Sequence, residues 1–324
     1  MNKNYSMLRD PYNADNLTME AGFLKCEASG KCYSVIGSIP RFVDGGNYAE
    51  DFGKQWNIYR KTQLDSYTGT NASYERLSRC MNGHLGHVKE KSVLEAGSGA
   101  GRFTEVLLHH GAIVHSFDYS TAVEANRDNN GDSDRLTLVQ ADVRRMPFEK
   151  ASYDYVICLG MVQHTPNPEE TISCLWQMVR PGGYLVLDHY LFKWRKKFPP
   201  PIGGAQEIYR HLMLALPRRL RLGLITKIVD FFFPLHWKFK NSLTARRILS
   251  WVSPVCFHYG EFGLLDRIII YEWALLDTHD GTTDFYRHLR TVKQISEYLT
   301  NLGAADLVVR EGGNGVEAFC KKPF

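Results

Sequence analysis

Val93-Leu94-Glu95-Ala96-Gly97-Ser98-Gly99-Ala100-Gly101-Arg102-Phe103-Thr104 is the stretch from which the fold can be read. An apolar run ends in an acid, and a Gly-x-Gly-x-Gly turn then opens a helix. Glycine is required where a backbone turns sharply and lies against a ligand. The helix start beyond it presents free N–H groups that seat an anion. Such a turn has meaning only between a strand and a helix, which is where the pattern places it. A dinucleotide site wants Gly or Ala at position 102, and Arg102 stands there. A P-loop wants Gly-Lys-Ser/Thr, and no such tripeptide occurs. The turn therefore suits a nucleoside that carries no phosphates and whose anionic end is a carboxylate.

The next apolar run, Val114-His115-Ser116-Phe117-Asp118-Tyr119, ends in an acid 21 residues after Gly97. In a βαβ unit that acid sits at the tip of the neighbouring strand, within reach of both ribose hydroxyls. Tyr119 offers a ring to the base. The alternative for Asp118 is a simple N-cap of the following helix. Further outward, strands are expected at Leu136–Gln140, Tyr155–Leu159 and Tyr184–Asp188, alternating with helical stretches. This is the signature of a parallel sheet with helices on both faces. A helix over Val292–Leu302 and strands at Asp306–Arg310 and Gly315–Cys320 would complete it. The fold class is thus α/β and Rossmann-like.

In order, these segments resemble the class I S-adenosylmethionine-dependent methyltransferases. The resemblance is to their small-molecule branch, type 11, which includes the ubiquinone/menaquinone-biosynthesis type. The matching motifs cover residues 92–190 and include Met178-Val179-Arg180-Pro181-Gly182-Gly183, a helix end ahead of the strand at Tyr184–Asp188. The resemblance implies a seven-stranded sheet with its last strand antiparallel, and S-adenosyl-L-methionine as cofactor. It also implies the binding residues. Glu95 and the turn (Gly97, Ser98, Gly99, Gly101 and Arg102) would shape the pocket beside the methionine part and ribose. Asp118 would bind the ribose, with Tyr119 beside the adenine. Asp142 would reach the adenine amino group and Val143 the ring. Leu159 and Gly160 would lie near the methionyl end.

The flanks extend the likeness. Leu24-Lys25-Cys26 to Cys32 and Ile39-Pro40-Arg41-Phe42 resemble a short zinc-ribbon-like leader. A structural zinc site takes four ligands. Only Cys26 and Cys32 are available here, so two packed thiols and no metal are expected. The chain then divides into an irregular leader (1–48), a cofactor-binding core (49–190), an inserted substrate lid (191–290) and a closing helix and strand pair (291–324). Trp56, just upstream of the core motifs, is a candidate to close over the cationic cofactor, since an aromatic face attracts a cation.

Composition sets the class. With 44% apolar and 23% charged residues the chain buries a full core. The N-terminus lacks the apolar segment of a signal peptide. Leu222–Trp237, the most apolar later stretch, is too short to span a bilayer and is broken by Lys227 and Asp230. A cytoplasmic location is expected, with seven scattered, reduced cysteines. Charge is uneven: residues 191–250 carry thirteen Lys or Arg against Glu207 and Asp230, a net of +11 where the whole chain has +4. A basic block in an acidic body points to an anionic partner. That partner could be an acidic or lipid-linked glycan or metabolite. Ile225, Val229, Phe232 and Phe233 recur near helical spacing in this block. They suit either the lid's own core or peripheral contact with a membrane through 191–250.

Methyl transfer to a hydroxyl needs a base, and His164, after the fourth strand, is the first candidate. His189 and Tyr190 follow the fifth strand on the same edge. His279, Asp280 and Tyr286 are expected in a polar loop that could touch substrate. The reading is a methyltransferase acting on a small-molecule or glycan acceptor, most naturally at oxygen. An RNA methyltransferase is the alternative suggested by the basic block, although neither an RNA-binding motif nor the Asn/Asp-Pro-Pro-Tyr signature is present. A non-catalytic cofactor-binding protein is the third reading.

Overall fold

The computed structural model describes residues 5–44, 46–131, 133–194, 198, 200–259 and 265–324. Three cations of the basic block, Arg195, Lys196 and Lys197, lie outside the described residues. The leader, expected to be irregular, forms a small antiparallel sheet: β1 (Leu17–Glu20), β2 (Phe23–Cys26), β3 (Cys32–Ile36) and β4 (Ile39–Pro40). Antiparallel hairpins need only short turns, and Ala21-Gly22 and Gly37-Ser38 supply the positive φ angles. The sheet rests on the core where Phe42 N–H donates to the Gln140 carbonyl at 2.8 Å. Cys26 is buried, whereas Cys32 is exposed on the other side of its hairpin. The two thiols therefore do not pack together as the spacing had suggested.

Helices α1 (Glu50–Ile58), α2 (Asp65–Thr68) and α3 (Ala72–Cys80) precede the core. The core runs β5 (Ser92–Ala96), α4 (Arg102–His109), β6 (Ile113–Asp118), α5 (Ala122–Asn130), β7 (Leu136–Gln140), β8 (Tyr153–Cys158), α6 (Pro168–Met178) and β9 (Val179–His189). Met178 ends α6, and the following Val179–Gly183 already belongs to β9 instead of to a helix end. The inserted segment 191–290, expected to be a lid and called so below, contributes α7 (Gln206–Ala215), α8 (Arg218–Lys238), α9 (Leu243–Val252) and α10 (Arg267–Thr283). The closing elements are α11 (Val292–Asn301), β10 (Ala305–Gly312) and β11 (Gly315–Lys321).

Seven strands form one sheet in the order β10-β11-β9-β8-β5-β6-β7. β5 to β9 are parallel, and β11 runs antiparallel to both of its neighbours. Both faces are covered, so each strand reads as an apolar run whose alternate residues belong to different cores. Leu94, Val156 and Leu185 face α6 and α11 through Ile172, Leu175, Ile295 and Leu299. Val93, Ile157 and Val186 face α3 and α4 through Leu77, Phe103, Val106 and Leu107. Helix starts are marked locally. Asn167 accepts from Glu170 N–H ahead of Pro168, and Thr291 with Gln294 makes a reciprocal capping box.

The order of strands puts the site where it is. β5 is followed by β6 on one side and flanked by β8 on the other, so the loops after these two central strands diverge and leave a crevice at their carboxyl ends. The third glycine of the turn serves packing at this junction. Gly101 has φ +84°, and a Cβ there would lie 2.2 Å from Asn126 Oδ1 and 2.4 Å from Asn130 Nδ2. Both asparagines bond across the α4–α5 contact. Gly101→Ala is therefore expected to cost about 2–4 kcal/mol, as strain at positive φ plus displaced buried hydrogen bonds. Thermal denaturation checks this, and an unchanged Tm would refute the packing role.

The lid has its own core, in which Ile225, Val229 and Phe233 of α8 pack with Met213, Ile270 and Ala274, while Phe232 is half-buried. Much of its positive charge turns inward onto acids. Arg218 meets Glu50 at 3.1 Å, Arg221 meets Asp51 at 2.7 Å and Arg210 meets Asp284 at 2.7 Å. No described helix is long and apolar enough to cross a membrane.

Candidate functional site

The crevice opens into a cavity of about 970 Å³, bounded by the carboxyl edge of the sheet, by α1 and by the lid. Of the residues expected at the cofactor, Trp56, Gly97, Ser98, Gly99, Arg102, Asp118, Tyr119, Asp142, Val143, Leu159 and Gly160 line it. Asp118 Oδ2 accepts from Gly99 N–H at 3.0 Å, so the turn and the strand-tip acid are direct neighbours. Asp118 Oδ1 accepts from Ser120 N–H and its hydroxyl at 2.8 and 2.7 Å. Burial raises the Asp118 pKa, an effect these donors partly offset. Gly97, at φ +72°, has Met161 so close that a Cβ would fall 2.6 Å from its side chain. Trp56 lies over Gly99, 3.1 Å from where a Cβ would project.

Two of the expected residues act from behind. Gly101 faces α5 and not the cavity. Glu95 is buried beneath the turn, where Oε2 accepts from the Thr104 and Ser116 hydroxyls. Burial pushes its pKa up to about 7 against these donors. Asp142 lines the cavity with its carboxylate held by Arg144 at 2.6 Å.

Sequence reasoning named Arg102 but missed Arg76, which makes a cationic corner of the cavity with it. Arg76 of α3 meets Asp188 at 2.6 Å, and Asp188 is fully buried. Asp188 also accepts from Gly160 N–H at 2.6 Å and from Asn314 at 3.2 Å. Arg102 lies beside Arg76, both guanidinium groups flanking the Phe103 ring. Arg102 donates to Ser73 at 3.0 Å and Gln63 at 2.5 Å, yet no carboxylate pairs with it among the described residues. Burial, and then the Arg76 charge, push its pKa down to about 9. Asp188 was detectable as an acid closing a buried apolar strand. Arg76 sits 112 positions earlier, and nothing local marks it.

The residues present fit S-adenosylmethionine. Arg76 and Arg102, both on the cavity lining, would receive its carboxylate. Glu95 Oε1, Ser98 Oγ and Arg76 Nε are buried polar atoms without a partner among the described residues. Such atoms call for a polar ligand or water. Asp118 would receive the ribose hydroxyls, and Tyr119 and Val143 the base.

The other end of the cavity belongs to the lid. His164 lines it, with Nδ1 3.2 Å from the Tyr286 carbonyl and 3.4 Å from Asp284. Burial alone would lower the His164 pKa, but Asp284 and Asp280 outweigh it and raise it. Phe52 and Tyr190 flank the ring at centroid distances of 5.3 and 5.2 Å. Tyr190 lines the cavity. Asp280 also lines it and has its pKa raised to about 6, chiefly by burial. The basic side chains of this segment that line the cavity here are already engaged. Arg287 is held by Asp284 and Glu207 at 2.7 and 2.5 Å, and His258 by Asp277 at 2.6 Å.

Three candidates fall elsewhere. His189 is buried off the cavity, with Nδ1 3.1 Å from the Tyr190 carbonyl, and burial pushes its pKa down to about 4. His279 lies on α10 and not in a loop. It is buried against Gln55 of α1 and is lowered to about 4, chiefly by burial. Tyr286 packs edge-on against Tyr48, and only its backbone carbonyl serves the site, through His164.

Residues 94–187 match the family model described as a methyltransferase domain. A ubiquinone biosynthesis O-methyltransferase from Azoarcus sp. (strain BH72) is 35% identical over 109 residues, 32% of this chain and 45% of that protein. One from Coxiella burnetii (strain Dugway 5J108-111) is 29% identical over 100 residues, 30% of this chain and 43% of that protein. The chain thus spans about half the length of the curated relatives it matches. Among solved structures, a Burkholderia thailandensis 1,6-didemethyltoxoflavin-N1-methyltransferase with bound S-adenosylhomocysteine is 14% identical. It has a TM-score of 0.44, over 95% of this chain and 98% of that one. A SAM-dependent methyltransferase from Aquifex aeolicus is 12% identical with a TM-score of 0.43, over 83% and 97%. With the strand order, the glycine turn and the matched segment in agreement, residues 94–187 are the core of a class I S-adenosylmethionine-dependent methyltransferase domain.

Proposed function

We propose that the chain methylates a small-molecule acceptor at a proton-bearing group, a hydroxyl oxygen, which sits between the cofactor pocket and His164. The observation that carries this is the single cavity joining Gly97, Gly99 and Asp118 to His164 and the lid. When bound, S-adenosylmethionine supplies a methyl carbon on a sulfonium, a leaving group that needs no activation by the protein. The protein's part is to hold, align and exclude water, and alignment alone is a large contribution. Trp56, Phe52 and Tyr190 wall the cavity with apolar surface. His164 receives the acceptor's proton at Nε2, because Nδ1 is occupied by Asp284 and the Tyr286 carbonyl. Asp284 is a positioning residue that fixes the tautomer. Since Arg287, the arginine that faces this end, is held by carboxylates, the lining favours a neutral acceptor over an acidic one.

A screen of metabolite extracts with tritiated S-adenosylmethionine tests the reading. Absence of cofactor binding in calorimetry would overturn it. For the acceptor the screen identifies, the rate is expected to rise with pH and to level off above the raised His164 pKa, because only neutral imidazole takes a proton. His164→Gln should lower kcat by about 10²- to 10⁴-fold and remove that limb. Asp284→Asn should move the limb to lower pH. A pH profile unaltered in His164→Gln would exclude His164 as the base.

A further inference from the structure

We propose that the outward face of α8 is a docking surface for an anionic lipid bilayer. The helix has two apolar faces, which a helix buried on one side does not need. Its inward face, Ile225, Val229 and Phe233, is consumed by the lid core. On the opposite face, Leu220, Leu224 and Phe231 follow one another at helical spacing and are 52, 37 and 68% exposed. Lys227 and Lys238 fall in the same stripe, and Arg219 borders it, all three exposed.

Charge decides the occupant. Three arginines on or near this helix, Arg210, Arg218 and Arg221, are spent on Asp284, Glu50 and Asp51, and Arg267 lies against Trp237. Arg219, Lys227 and Lys238 have no carboxylate partner among the described residues. Asp230, the only acid in α8, is engaged by the Tyr271 hydroxyl at 2.5 Å. The helix therefore shows apolar side chains and three unpaired cations to the outside against one acid, Asp230. A bilayer offers the match for both: acyl chains for Leu220, Leu224 and Phe231, and anionic headgroups for the lysines. The helix would lie in the interfacial plane without spanning it, in keeping with the absence of a described helix able to cross. The face belongs to the lid that closes the acceptor end of the cavity. Docking would therefore set that end beside the membrane.

Co-sedimentation of the full chain with vesicles tests this independently of any methyl transfer. Phosphatidylcholine vesicles with about one-third phosphatidylglycerol should retain the protein, and pure phosphatidylcholine vesicles should not. High salt should weaken retention, because the lysine contribution is screened. Leu224→Glu/Phe231→Glu should reduce binding by at least about tenfold, from lost apolar insertion. Lys227→Glu/Lys238→Glu should reduce it by a similar factor and flatten the salt dependence. All four positions lie outside the cavity, so calorimetric S-adenosylmethionine affinity and Tm report that the variants are folded. Three results would overturn the proposal: equal binding to neutral and anionic vesicles, a dimer in sedimentation velocity that Phe231→Glu dissolves, or tRNA binding that Leu224→Glu/Phe231→Glu leaves intact while vesicles are ignored.

Discussion

Asp118→Ala is expected to weaken S-adenosylmethionine binding by about 100- to 10,000-fold in calorimetry. Two hydrogen bonds to a charged acceptor are each worth about 1.5–3 kcal/mol, and every 1.4 kcal/mol is a factor of ten. The same carboxylate also holds Gly99 N–H at 3.0 Å and the Ser120 turn, so its removal loosens the glycine bend as well as the ribose contact. Asp118→Asn separates the two effects. It keeps an acceptor for Gly99 N–H while losing the charge, and should fall between wild type and Asp118→Ala. An affinity unchanged in Asp118→Ala would remove the nucleoside from this end of the cavity.

The second large effect is on stability. Arg76→Met leaves Asp188 fully buried and without its counter-ion, with Gly160 N–H and Asn314 as the remaining donors among the described residues. Breaking one side of a buried pair costs about 3–5 kcal/mol. For a chain of this size that is a fall in Tm of roughly 10 °C. Arg76→Met/Asp188→Asn, which removes both charges, should recover a substantial part of the loss, as a double-mutant cycle would show. The single variant should also bind S-adenosylmethionine more weakly if Arg76, which lines the cavity beside Arg102, helps to receive the cofactor's carboxylate. A loss below about 1 kcal/mol would mean that water or a neighbouring donor already satisfies Asp188.

The lid shows why charge counting along the chain misleads. The block 191–250 invites an acidic acceptor on its net charge. Folding sends Arg210, Arg218 and Arg221 onto acids from other elements, and the cations at the acceptor end are paired as well. Of the described cations left without a carboxylate, Arg219, Lys227 and Lys238 lie on α8, away from the cavity lining.

The sheet, the glycine bend and the Asp118 tip were legible in the sequence, because each depends on residues a few positions apart. Apolar runs, helix caps and turn glycines act through local sterics and hydrogen bonds, and these survive in a one-dimensional reading. The hairpin leader escaped that reading because its strands are only two to five residues long. His189 and His279 were misplaced because a residue near the correct edge in sequence can point into the core, where desolvation keeps it neutral. Only the tertiary structure could pair Arg76 with Asp188, Asp284 with His164 and Arg221 with Asp51, across separations of more than a hundred residues. A buried charge takes whichever opposite charge the packing brings near, and chain order carries no record of that choice.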